Sequence, residues 1–231
     1  MDNRTPGTVA RPDGPPTSAT VPGGATVTES SLRAAGWAAV LSGVLFALIQ
    51  VIHPENDASS LDTTAYTVAH VLSFLFPVLG IIGLTGIHAR QIERAGRVGI
   101  VGYLLVFGAF VLMACFGFVE AFVNTAVHDE APRYIDEFFG VLDGEPGPGR
   151  LGTIFQINGA LFLLGGVTFA LATIRARVLP RWPALVMIAG VALSLLATVN
   201  DLGAKLSAIV FGLGLAALGF TAARLRPAER R

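Results

Sequence analysis

Residues 88–122 read HARQIERAGRVGIVGYLLVFGAFVLMACFGFVEAF, and after three arginines in the first ten positions only one charged side chain follows, that of Glu120. A helix needs about 20 apolar residues to cross the hydrocarbon core of a bilayer. Since hydrocarbon offers the backbone no hydrogen-bond partner, an apolar run of this length must be helical. The stretch therefore predicts a membrane-spanning helix that begins beside a basic loop.

Five more apolar runs of similar length occur in the 231 residues, of which 53% are hydrophobic and 14% charged. Soluble domains average about 25% charged residues, so this chain is poor in groups that hydrate a surface. One such run is compatible with a buried helix of a soluble protein, but six in a short chain indicate an all-α integral membrane protein with a six-helix bundle. The spans are expected at Ala34–Ile52, Thr64–Ile87, Val98–Phe122, Leu151–Ile174, Trp182–Val199 and Leu206–Ala223.

The distribution of lysine and arginine predicts the orientation. Thirteen of the 16 basic residues fall in the N-terminal segment, the second and fourth connections and the C-terminus. Because basic loops stay on the cytoplasmic side, both termini are expected there and the acidic connections outside. The abundance of Ala, Gly, Val and Arg, with Lys205 as the single lysine, is typical of a high-GC bacterium. We therefore expect a multi-pass protein of the bacterial cytoplasmic membrane.

The segments outside the spans divide into two tails and one long loop. Residues 1–30 are polar and rich in Pro, Gly and Thr, which predicts a disordered cytoplasmic tail. The transmembrane domain then covers residues 31–226, and residues 227–231 form a second cytoplasmic tail. In the outer loop, residues 124–150, four apolar side chains recur at helical spacing: Ile135, Phe138, Phe139 and Leu142. This predicts a short amphipathic helix that lies in the membrane interface or covers the mouth of the bundle.

Polar side chains concentrate in the outer half of the predicted bundle. Buried polar groups in a membrane tend to face the interior or a water-filled cavity, so a shared polar pocket that opens outward is expected. The ligand-binding candidates are His70, Ser73, Glu120, Asn124 and Asn158. Four further polar residues are expected at the level of the lipid headgroups, where a polar side chain does not indicate a binding pocket: His53, Asn200, Asp201 and Lys205.

His70 is the strongest single candidate, because Ser73 and Pro77 share its helix face and a proline frees polar backbone in a membrane helix. An equally good interpretation is a histidine that bonds a neighbouring helix, with a proline that only shapes packing. Glu120, Asn124 and His128 recur every four residues and form a stripe if the third helix continues that far. His70 and Glu120 are weak candidates for a metal site; no cofactor is indicated.

Function is less determined than fold. The sequence contains no Walker motif, dinucleotide fingerprint, HExxH or GxSxG, and its zero net charge gives no reason to expect nucleic acid. Three hypotheses remain: a protein that binds or permeates a small solute or ion, a membrane-embedded enzyme acting on a lipid or quinone with or without a metal, and an accessory subunit of a membrane complex. The expected partners are the lipid bilayer, a small solute or ion, and a second copy or another membrane subunit.

The predicted topology can be tested with an impermeant thiol reagent on intact cells. With Cys115 replaced by serine, single cysteines at Ser59 and Glu145 should react from outside, and one at Glu93 should react only after lysis. The charge asymmetry is the physical reason for this pattern. The reverse pattern of labelling would contradict both the topology and the outward-facing pocket.

Overall fold

The structure, a computed structural model, describes residues 28–54, 57–141, 144–195 and 201–225. All regular elements in these ranges are helical. They are α1 (Glu29–Ile52), a 3₁₀-helix (Ala58–Ser60), α2 (Thr64–Phe118), a π-helix (Val119–Asn124), α3 (Thr125–Val127), α4 (Pro132–Gly140), α5 (Leu151–Ala176), α6 (Arg181–Leu193) and α7 (Asp201–Arg224).

Four helical segments are long and apolar enough to cross a membrane: Glu29–Ile52, Thr64–Val127, Leu151–Ala176 and Leu202–Arg224. The prediction of an all-helical chain with several membrane-length helices is therefore confirmed. α6 is shorter than the predicted span Trp182–Val199, because its α-helix ends at Leu193. Residues 196–200, which include Asn200, lie outside the described ranges.

The start of α1 differs from the prediction for the N-terminal tail. Residues 29 and 30 were assigned to the tail but are the first residues of α1. The Thr28 hydroxyl accepts a hydrogen bond from the Ser31 amide at 3.2 Å, which satisfies one of the free donors at the helix start. The rest of the predicted tail, residues 1–27, and the C-terminal residues 227–231 lie outside the described part of the chain.

α2 is a helical hairpin. A straight helix of its 55 residues would be roughly 80 Å long, more than twice the hydrocarbon thickness. At Gly96 the backbone leaves the helical region, with φ 61° and ψ −159°, a conformation that glycine adopts without a steric penalty. Residues 64–95 form the first arm of α2 and residues 97–118 the second arm.

The two arms run antiparallel in contact with each other. Near Gly96, the hydroxyls of Thr85 and Tyr103 are 2.9 Å apart. Toward the other end of the hairpin, the ring centroids of Phe74 and Phe118 lie 6.0 Å apart. The residues of the predicted second and third spans thus belong to one helical segment that reverses direction at Gly96.

Six segments pack as a ring of antiparallel neighbours: α1, the first arm of α2, the second arm, α5, α6 and α7. The ring closes where α7 returns to α1. There a Cβ added to Gly212 would lie 2.5 Å from the Gly43 carbonyl oxygen, and one added to Gly36 would lie 2.8 Å from the Ala223 Cα. Glycine at these positions lets the two backbones touch, as is common between membrane helices.

Five phenylalanines from five segments meet at the centre of the ring: Phe46, Phe76, Phe110, Phe162 and Phe211. The rings of Phe46 and Phe76 stack with centroids 4.4 Å apart, and Phe211 reaches within 4.8 Å of Phe162. We call these five side chains the phenylalanine layer. It divides the bundle interior into an acidic side, which carries α4, and a basic side, which carries Gly96 and its neighbouring arginines.

The outside of the ring is apolar. Large hydrophobic side chains that remain exposed include Leu104, Leu164, Leu171, Leu185 and Leu213. Soluble monomers rarely expose contiguous apolar patches larger than a few hundred Å², whereas lipid favours such a surface. The arrangement of apolar groups therefore fits helices surrounded by hydrocarbon.

The α1–α7 contact gives a stability prediction. Gly43→Ala should lower the free energy of unfolding by about 1–3 kcal/mol, because the added methyl group would collide with the Gly212 carbonyl oxygen. Thermal unfolding of the detergent-purified protein measures the effect. Gly159→Ala is the matched control, since a Cβ there meets no atom within 4 Å. Equal unfolding temperatures for the two variants would contradict the close helix contact.

Candidate functional site

Two arms of α2 bring the principal site candidates together. His70 projects from the first arm, and Glu120 lies in the π-helix that continues the second arm. The His70 Nε2 and Glu120 Oε2 atoms are 3.9 Å apart. The His70 side chain is fully buried and that of Glu120 is 18% exposed, so an imidazole and a carboxyl group face each other inside the bundle.

Tyr66 and His53 complete the surroundings of His70. The Tyr66 ring stacks on the imidazole with centroids 3.8 Å apart, and the His53 ring from α1 meets it edge-on at 4.8 Å. Sequence reasoning did not identify Tyr66, although its position four residues before His70 puts both on one helix face. His53, expected at headgroup level, also contacts the buried imidazole.

Hydrogen bonding fixes which His70 nitrogen carries a proton. Nδ1 lies 2.8 Å from the Tyr66 carbonyl oxygen, and because a carbonyl only accepts, Nδ1 must donate. Nε2 therefore holds either a lone pair or a second proton, and it is this atom that faces Glu120. One proton shared between His70 and Glu120 allows either a neutral pair or an imidazolium beside a carboxylate.

Other polar atoms of this cluster also have no hydrogen-bond partner among the described residues. They are the Tyr66 hydroxyl and both side-chain polar atoms of Asn124, in addition to His70 Nε2. The Tyr66 hydroxyl lies near Asn124 and Glu120 but makes no well-formed bond to either. Leaving a buried polar group unpaired costs about 1–3 kcal/mol. Such atoms gathered in one place are typical of sites where water or a ligand binds.

Ser73 and Asn158 take no part in this cluster through the described hydrogen bonds and ion pairs. The Ser73 hydroxyl donates to the Ala69 carbonyl of its own helix at 2.9 Å. Asn158 is buried on α5, one turn before Phe162 of the phenylalanine layer, and its Oδ1 has no partner in the described part of the chain. Of the five predicted ligand-binding residues, the structure thus gathers His70, Glu120 and Asn124.

The predicted stripe of Glu120, Asn124 and His128 faces residues that also recur every four positions, in the first arm of α2 and just before it. Glu120 faces His70, and Asn124 lies beside Tyr66. The His128 Nε2 atom lies 3.1 Å from the Asp62 carboxylate, at the end of α3. In the described ranges, no group of three or more His, Cys, Asp and Glu side chains is arranged to hold a metal ion.

The predicted amphipathic helix is present as α4, and it packs at the start of α2 beside this cluster. Its buried side chains Ile135, Phe138 and Phe139 form an apolar cluster with Leu61 and Tyr66. The predicted fourth residue of this face, Leu142, lies outside the described residues. Because Tyr66 packs with α4 and also stacks on His70, it connects the amphipathic helix to the polar cluster.

An acidic cavity of about 470 Å³ lies beside α4. Its lining includes the carboxyl groups of Asp57, Asp136, Glu137 and Glu145. The Ser59 hydroxyl donates to the Asp57 carboxylate at 2.7 Å, which lowers the pKa of Asp57 and keeps its negative charge. This side of the protein therefore presents a field that favours cations.

No known protein-family model, no curated protein and no solved structure matches this chain.

A mutant cycle tests whether His70 and Glu120 interact. His70→Leu and Glu120→Leu should each destabilise the protein, because each leaves its partner unpaired. The double variant should cost less than the sum of the two, with a coupling energy of about 0.5–3 kcal/mol. Unfolding of the purified protein in one detergent measures all four states.

The control cycle pairs Glu120→Leu with His88→Leu, since His88 lies on the basic side of the phenylalanine layer. These effects should add within about 0.5 kcal/mol. Additive effects in both cycles would mean that His70 and Glu120 do not interact.

Proposed function

We propose that this protein binds or permeates a small solute or ion at the His70–Glu120 pair, and that this site takes up a proton. The observation that carries the proposal is the 3.9 Å approach of an imidazole nitrogen to a carboxyl group inside an apolar bundle. A buried ionisable pair is costly in a membrane and commonly marks a substrate, ion or proton pathway.

The proposal includes six membrane crossings, with both termini in the cytoplasm. The antiparallel arms of α2 support it, since they provide two crossings from one helical segment. The acidic side would then face outward, in agreement with the bias of arginine toward the other side. The high-GC composition favours the bacterial cytoplasmic membrane.

The surroundings of the pair favour a solute with hydrogen-bonding groups. The Tyr66 hydroxyl and the Asn124 amide provide a donor and an acceptor beside the ionisable pair, none of them bonded in the described part of the chain. The acidic surface near α4 would raise the local concentration of cations. α4 covers Tyr66, so a solute that arrives from the acidic side must pass this helix.

Thermal unfolding against a panel of probes tests binding. The panel contains sodium, potassium, magnesium, zinc, ammonium, acetate and urea, each at several concentrations. A bound probe should raise the unfolding temperature, because binding to the folded state stabilises it by mass action. His70→Leu and Glu120→Gln should remove the shift, and Glu130→Gln, an exposed residue, should leave it unchanged.

Vesicles that contain the protein and a trapped pH-sensitive dye then separate binding from permeation. Proton flux driven by a potassium diffusion potential, and abolished by Glu120→Gln, would indicate permeation. A panel without any shift, together with no flux above empty vesicles, would overturn the proposal. A lipid-derived product would favour the enzyme hypothesis, and a copurifying membrane subunit the accessory hypothesis.

A further inference from the structure

A second polar cluster lies on the basic side of the phenylalanine layer. It contains His88 and Gln91 near the end of the first arm of α2, together with Tyr103 of the second arm and Thr173 of α5. His88 and Gln91 are 7% and 1% exposed. Each has one buried side-chain atom with no hydrogen-bond partner among the described residues, His88 Nδ1 and Gln91 Oε1.

The His88 ring is held in place by Tyr103. The two rings stack in parallel, with centroids 4.6 Å apart and 4° between their planes. Thr85 donates its hydroxyl proton to the Ile81 carbonyl at 2.7 Å, so in the 2.9 Å contact between hydroxyls Tyr103 must be the donor. This bond fixes Tyr103, and the stack then fixes the imidazole.

Hydrogen bonding also fixes the orientation of the Gln91 amide. Thr173 donates its hydroxyl proton to the Phe169 carbonyl at 2.9 Å, so its oxygen can only accept another bond. The Gln91 group that lies 2.9 Å from this oxygen must therefore be the NH₂. The carbonyl oxygen Oε1 is left free, and it can only accept.

Small residues pack beside these two side chains. A Cβ added to Gly99 would lie 2.4 Å from the Ala95 Cβ, 3.7 Å from the Ala172 Cβ and 3.8 Å from His88 Cε1. Ala172 precedes Thr173, the partner of Gln91. The first arm, the second arm and α5 therefore meet beside His88 and Gln91.

The phenylalanine layer separates this cluster from the His70–Glu120 pair. Along the first arm, Phe76 lies six residues after His70 and twelve before His88, or about 9 Å and 18 Å along a helix. Phe110 and Phe162 separate the two sides in the same way on the second arm and α5. The two polar clusters therefore occupy opposite halves of one interior.

We propose that His88 and Gln91 form a second solute site, on the basic side of the phenylalanine layer. It deepens the proposed function and rests on it, because a solute would then have one binding site on each side of the phenylalanine layer. The site takes a small solute with N–H or O–H donors. Gln91 Oε1 accepts from such a group, and His88 Nδ1 accepts another when the imidazole proton is on Nε2.

Passage between the two sites would require the phenylalanine layer to open. The stacked rings of Phe46 and Phe76 join α1 to the first arm of α2, so a change in the distance between these two segments would separate them. The protein as described is thus closed between its two polar clusters.

Nuclear magnetic resonance of the full chain, labelled with ¹⁵N-histidine in lipid nanodiscs, tests the second site. The chain has four histidines, and single His→Gln variants assign their ring signals. The probes are methylammonium chloride, a charged donor, and urea, a neutral one, each titrated at constant pH. The His88 signal should shift saturably with one of them, which identifies the class of solute.

Gln91→Leu should weaken the apparent affinity read from His88 by about tenfold, the effect expected for one lost hydrogen bond. If that variant does not fold, Gln91→Met removes the same carbonyl oxygen with a side chain of similar length. Gln156→Leu, an exposed glutamine on α5, is the matched control and should leave the affinity unchanged.

The same titration separates the two proposals. A His70 signal that responds while His88 does not would overturn the second site and leave the proposed function intact. A His88 response alone would support the second site and count against the His70–Glu120 site. A His88 shift that the Gln91 variants leave unchanged would overturn the assignment of Gln91 to the site.

Discussion

Hydrocarbon offers no hydrogen-bond partner, and the rest of this structure depends on that constraint. Each interior hydroxyl must find an acceptor on a helix, so Ser42 of α1 donates to the Phe76 carbonyl at 2.7 Å and Ser207 of α7 to the Gly190 carbonyl at 2.9 Å. The first of these bonds joins α1 to the first arm of α2 at the carbonyl that precedes Pro77. Because pairing is the rule, the unpaired atoms on either side of the phenylalanine layer are informative.

Close contact between backbones supplies the packing energy that hydrophobic burial supplies in water. Lipid tails are as apolar as leucine, so helices gain little by hiding leucine from them. Here glycine and alanine face one another, as where Gly36 and Gly43 meet α7. Many large aliphatic side chains point outward, while others, such as Leu84 and Leu215, are buried between the helices. The interior then has room for aromatic rings, which form the barrier between the two polar clusters.

Local composition predicted the helices because, in lipid, each apolar run must form all its backbone hydrogen bonds within its own segment. It predicted less well the features that depend on other segments. α2 reverses direction at Gly96 without an intervening loop. Nothing in the neighbouring sequence distinguishes this glycine from the glycines that lie within helices. His70 and Glu120 were predicted to line one polar pocket because both are ionisable groups within apolar runs, whereas Tyr66 was missed because an aromatic residue near a helix start is typical of packing.

Tyr66 links the polar site to the helix that covers it. One part of its surface packs with Ile135 and Phe138 of α4, its ring stacks on His70, and its carbonyl accepts the His70 Nδ1 proton. A displacement of α4 would expose the ring of Tyr66 to solvent. Because that ring covers one face of the imidazole, the His70 side chain would then be separated from solvent by Tyr66 alone. The hydrogen bond to the carbonyl would remain, since it belongs to the α2 backbone. The proton on Nδ1 is therefore fixed by the helix, while access of water or solute to Nε2 depends on the cover, and it is Nε2 that faces Glu120.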